Sequence, residues 1–229
     1  MKLNVLAPIW SLLEWLRGDG EDFKASDSEI REFIKSSNID YSIANRPAGT
    51  WRWLGTPQLP ITVYITPPAA GSAVERDYAR KTRKAIKQIN SKLKGLLVLD
   101  AVTTPPASGN HIIVSYGTAF MPEGSTEYAK YCSNVAVGKK DDCGQILPNS
   151  ANGIGSSPVY VNLGNGYCDV TQDVVTHEFG HALGLSYHFT GFDGSGLAIS
   201  TAYWDVLATL YANPPATAAA SLTIRRARK

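Results

Sequence analysis

Cysteine, methionine and histidine are all scarce in this chain, at three, two and four of 229 residues. Three cysteines exclude a dense disulfide framework, and a chain of this length with 44% hydrophobic residues buries a core without such staples. An excess of charge is missing too. With 22 Lys and Arg against 20 Asp and Glu, the formal net charge of +2 favours neither nucleic acid nor an anionic membrane as partner. No apolar run approaches the ~20 residues needed to span a bilayer. At the amino terminus, Asn4, Pro8 and Glu14 interrupt an apolar stretch and no small-x-small cleavage site follows, which makes a poor signal peptide.

What is present is concentrated. Three of the four histidines fall inside the twelve residues His177-Glu178-Phe179-Gly180-His181-Ala182-Leu183-Gly184-Leu185-Ser186-Tyr187-His188. Residues four apart share a helix face, so His177 and His181 can direct imidazole nitrogens at one metal ion, with Glu178 projecting beside it. Two neutral imidazoles and a carboxylate suit Zn²⁺, which lowers the pKa of a bound water to near ~7. Glu178 then has the role of general base. Val174, Val175, Phe179, Ala182 and Leu183 are apolar at helical spacing, and Thr171 or Asp169 can cap the helix start. The structural alternative is a salt-bridged His/Glu face with no metal. Gly184 can adopt the left-handed conformation that ends the helix and lets the following residues swing back under the metal.

The pattern H-E-x-x-H-x-x-G-x-x-H is the signature of the metzincin clan of zinc endopeptidases, and this segment resembles it, most nearly in its matrixin-like form. One departure falls on a ligand: the third histidine of the pattern is Tyr187 here, and the imidazole stands one residue later, at His188. A loop tolerates one added residue better than a helix does, so the favoured ligand set is His177, His181 and His188. Tyr187 and Asp193 are the alternatives for the third position. The resemblance also implies a methionine-containing turn beneath the metal. The only methionines are Met1 and Met121, and the segment from Ala208 to Pro214 is similar to that turn with Leu210 in place of methionine. In latent metzincins a cysteine or aspartate of a preceding segment covers the zinc. No cysteine precedes Cys132, which leaves Asp19 or Asp22 for that part, against the plainer reading of an acidic glycine-containing turn.

The remaining pattern reads as α+β: a twisted mixed sheet with a long backing helix, a zinc-binding helix, and a small lower subdomain after the motif. Strands are expected at Pro60 to Thr66, Leu96 to Val102, His111 to Tyr116 and Pro158 to Leu163, with a long basic amphipathic helix over residues 73–94 stopped by Gly95. Residues 1–46 form an amino-terminal helical extension or pro-segment that can dock on the rest, opened at its second helix by the capping box Ser26-Asp27-Ser28-Glu29. Residues 47–215 form the catalytic domain, and 216–229 a solvated basic tail. His111 is read as structural. Cys132 and Cys143 can close a polar loop as a disulfide, leaving Cys168 unpaired unless it bonds one of them.

The expected function is therefore hydrolysis of peptide bonds in a peptide or protein substrate, by an exported or extracellular enzyme. The substrate would lie extended along an edge strand, taken as Pro158 to Leu163. The alternative is a catalytically silent or toxin-like binding module that keeps the fold and the metal.

Overall fold

The computed structural model describes residues 22–40, 48–117, 133–136, 146–155, 158–164, 170–195 and 197–229. Alternating burial in Ile61–Ile65 (β1), and near-continuous burial in His111–Tyr116 (β3) and Val159–Leu163 (β5), follow from β-branched side chains pointing to opposite faces of a pleated strand. Leu99–Val102 (β2) and Ser133–Ala136 (β4) complete a five-stranded sheet in the order β2-β1-β3-β5-β4. Its first four strands are parallel, and β4 alone runs antiparallel, against β5.

Ala73–Lys92 forms the long helix α2, capped by Ser72 and buried along Tyr78, Ala79, Thr82, Ala85, Ile86 and Ile89. Val74, in the first turn of the helix, is 59% exposed. Gly95 has φ +86°, a left-handed conformation open to glycine, and ends the run. Gln172–Ala182 forms α3, in which Thr171 Oγ1 accepts from the Val174 amide at 3.2 Å. The α2 helix packs on β2 and β3, and α3 on β4 and β5; the two helices also touch each other, which places both on one face of the sheet.

The substrate edge needs correcting. Val159–Leu163 is paired on both sides, with β3 and with β4, so it lies inside the sheet. Among the described residues the edge strand on this side of the sheet is β4, the opposite edge being β2; the sequence does not announce β4 because its four residues, Ser-Asn-Val-Ala, have weak strand propensity.

Asp27–Ile34 (α1) carries the expected capping box and continues as a π-helical turn over Lys35–Ile39. Ile30 and Ile34 are fully buried, and α1 packs against Thr201–Ala212 (α4), whose residues from Ala202 to Tyr211 are all buried. The part of the amino-terminal helical extension that precedes Asp22 lies outside the described residues. The carboxyl-terminal residues are mostly exposed, as a basic tail would be, yet they are pinned to the rest of the chain. Arg226 bonds Asp27, the buried Asp205 (2.9 Å) and the Ala25 carbonyl (2.7 Å), and the Arg228 amide donates to Lys92 O at 3.0 Å. Basic side chains at a terminus find partners here because Asp205 is buried on α4 and needs them. Among the described residues no helix is long and apolar enough to cross a membrane.

Candidate metal centre

The α3 helix sets His177 and His181 one turn apart, and the chain then reverses. Leu183 caps the helix, Gly184 takes φ +108°, and the Gly184 amide donates to His181 O at 2.9 Å while that of Leu185 donates to Gly180 O at 3.1 Å. Two side chains brace this helix end from outside: Tyr211 Oη donates to Leu183 O at 3.0 Å, and Trp53 Nε1 to Ala182 O at 2.9 Å. The reversal brings His188 back under the helix.

The three Nε2 atoms then form a triangle, with His177 to His181 at 3.0 Å, His177 to His188 at 3.1 Å and His181 to His188 at 3.2 Å. Three imidazole nitrogens cannot all hydrogen-bond one another, because a ring nitrogen that carries a proton has no lone pair left to accept. A central cation satisfies all three, and a tetrahedral ion with ~2.0 to 2.1 Å bonds sets its ligands about 3.3 Å apart, close to the spacing seen. The tautomer agrees. Nδ1 of His181 faces the Leu185 carbonyl, an acceptor only, so it carries the proton and leaves Nε2 bare. Nδ1 of His177 is buried facing the Ala198 backbone without a hydrogen bond of normal geometry.

Burial and mutual proximity hold these rings neutral. His177 is driven well below the usual histidine range by burial first, then by His181 and His188, and His181 is pushed down to about 3 by burial and His188. Among the described residues, His177, His181 and His188 are the group of metal-ligating side chains placed to hold an ion. Tyr187, the alternative third ligand, is 51% exposed and stands outside that group, as does Asp193, which is exposed beside His188.

Glu178 is buried next to the triangle. Its Oε1 accepts from Ser133 Oγ at 2.6 Å, and among the described residues its Oε2 has no hydrogen-bond partner. Burial raises its carboxyl to about 7; Asp193 adds to the rise, and the Ser133 hydroxyl opposes it. Ser133 opens β4, so the terminal strand of the sheet reaches the site directly.

The floor beneath the histidines is aromatic. Phe192 stacks on His177 with centroids 4.3 Å apart and 27° between planes, and lies 5.0 Å from His181 and 5.6 Å from His188. Tyr203 stacks behind it at 5.2 Å, with its hydroxyl donating to Thr176 O at 2.9 Å. The reading of Ala208 to Pro214 as a turn under the metal does not hold. Leu210 lies inside α4, a helix with no breaker before Pro214, where it is fully buried and faces Gly184. Ser133 and Phe192 were missed in the sequence, since neither sits in a patterned segment.

The other candidates fall elsewhere. Asp22 accepts from the amide (2.7 Å) and hydroxyl (2.6 Å) of Thr201, capping α4, and these bonds lower its carboxyl. His111 Nδ1 meets Gly109 O at 2.9 Å at the start of β3, which fits a structural histidine. Asp19, Asp169 and all three cysteines lie outside the described residues. No family model matches the chain, and no curated protein matches it at a significant level.

Proposed function

We propose that the chain is a zinc-dependent endopeptidase of metzincin type, with His177, His181 and His188 as ligands and Glu178 as general base. The observation that carries this reading is the convergence of three neutral imidazole nitrogens beside a buried carboxylate with one unpartnered oxygen. Bound Zn²⁺ would supply a water of lowered pKa and a Lewis acid for the substrate carbonyl. The chain's own residues do the rest. Ser133 fixes Oε1 of Glu178, so Oε2 is the atom free to take a proton and later to deliver it to the leaving amine. A substrate peptide would lie in extended form along β4, whose outer side pairs with no strand among the described residues. A structural metal site needs no general base and closes its fourth position with protein, whereas three ligands converge here among the described residues.

The test is metal content together with peptide hydrolysis before and after chelation, in wild type and Glu178→Gln. The wild type should carry one zinc and lose activity on chelation. Glu178→Gln should keep the metal and lose at least ~10²-fold in turnover, the usual share of a positioned acid/base group. Zinc without hydrolysis of any peptide in a diverse library would favour the silent binding module instead.

A further inference from the structure

Ser37 and Asn38 stand about 146 positions before Gly184 in the chain, yet they grip the loop that delivers the third histidine. The loop is held residue by residue. Gly184 O accepts from Asn38 Nδ2 at 2.8 Å, Leu185 O meets His181 Nδ1, and the Ser186 amide donates to Ser37 O at 2.7 Å. Two residues later the chain reaches His188. Asn38 is itself fully buried and tied to a third segment. Its Nδ2 donates to Trp51 O at 2.9 Å, its Oδ1 accepts from the Trp51 amide at 3.0 Å, and its carbonyl accepts from Trp51 Nε1 at 2.6 Å. Ser37 and Asn38 belong to the π-helical turn, a local widening that often marks functional positions in helices.

We propose that Asn38, together with the Ser37 carbonyl, positions His188 for the metal, which makes the amino-terminal segment a working part of the metal centre rather than a detachable cover. The inference rests on the metal-site half of the proposed function and is independent of hydrolysis. The physical reason lies in the loop. Residues 184–188 lie outside regular structure, so an unclamped loop would have to be ordered at the moment of binding, and that entropy would be subtracted from affinity. Asn38 suits the clamp because one amide bridges two backbone carbonyls from different segments while its oxygen holds an amide.

The test uses the full chain and Co²⁺ as the probe, titrated by its absorption, with Asn38→Ala, the near-isosteric Asn38→Asp, and Ile30→Val as a control in the same segment. Both Asn38 variants should bind Co²⁺ about 10- to 100-fold more weakly per folded molecule, the usual cost of removing an outer-shell partner. Ile30→Val touches only the core and should leave the affinity unchanged. Folded Asn38 variants that bind like wild type would overturn the proposal, as would an equal loss in Ile30→Val. A wild-type measurement decides the matter if the Asn38 variants do not fold. Coupling is reciprocal, so Co²⁺ should slow hydrogen exchange at the Trp51 and Ser186 amides several-fold. Unchanged exchange at both refutes the clamp. A wild type that takes up no Co²⁺ overturns the metal centre and the clamp together. Uptake with no hydrolysis removes only the endopeptidase, and the variant affinities and amide exchange then decide the clamp as before.

Discussion

Gly180, between the two helical histidines, sets two physical effects against each other when it is changed to alanine. It lies within α3 without a positive φ, so helix propensity alone predicts that Gly180→Ala stabilises the protein by about 1 kcal/mol. The added methyl, however, would sit 2.7 Å from Cε2 of Tyr203 and 2.9 and 3.0 Å from Cε2 and Cζ of Phe192. Neither ring has room to yield. Tyr203 is anchored through its hydroxyl on Thr176 O and packs edge-on against Trp204 at 4.7 Å, while Phe192 is held between His177 at 4.3 Å and Phe189 at 5.2 Å. Overpacking of a rigid core costs about 1 to 3 kcal/mol, and with two rings struck at once the upper part of that range applies. The clash therefore outweighs the propensity gain and leaves a net loss of roughly 1 to 2 kcal/mol, or roughly 3 to 6 °C in Tm for a domain of this size. The assay is thermal and urea unfolding of the metal-free protein, which isolates packing from ligation. An unchanged or higher Tm would refute the reasoning and show that the aromatic column is looser than drawn.

Three further outcomes follow from the site. His188→Ala should lose most metal affinity, because two ligands hold zinc weakly, whereas Tyr187→Phe should retain metal and activity; the reverse pattern in a zinc titration would move the third ligand to Tyr187. Phe192→Ala should destabilise the protein by about 3 to 5 kcal/mol, and Phe192→Leu by less, with zinc affinity falling in the same order; a Phe192→Ala protein with wild-type stability would remove it as the floor. The metal-free protein should also lose stability as pH falls. His177 and His181 have folded pKa values below the ~6.5 of an unfolded histidine, so the unfolded chain binds more protons as pH falls through ~6.5. Glu178, raised to about 7, binds its proton more readily when folded and opposes them above ~4.5. Three lowered histidines, His188 included, against the two raised carboxyls of Glu178 and Asp193 leave a net loss of stability as pH falls through ~6.5, steeper once the carboxyls protonate in the unfolded chain as well. Urea midpoints across that range in a chelator should show this loss, and His181→Gln should reduce it; a rising midpoint on acidification contradicts the assignment.

The features legible in the sequence were those encoded by short-range spacing. The four-residue step from His177 to His181, the Thr171 cap, the capping box at Ser26 and the glycines after α2 and α3 all act within one or two turns, so the order of residues states them outright. The same holds for the strand at Ile61–Ile65 and the long helix at Ala73–Lys92, whose periods of two and 3.6 are local properties.

Tertiary structure alone decided the rest, because the remaining contacts join residues far apart in sequence. Ser133 reaches Glu178 across 45 positions only because β4 reverses direction at the end of the sheet, and no pattern in its four residues announces that. Phe192 lies under the imidazoles because the chain folds back after Gly184, a turn whose direction is set by partners 129 and 146 positions away at Trp53 and Asn38. The choice between Tyr187 and His188 had the same character. Local spacing left His188, its neighbour Tyr187 and the later Asp193 as candidates, but loop residues point in different directions, and only the clamped course of the loop turns the His188 imidazole toward the other two and leaves Tyr187 facing solvent.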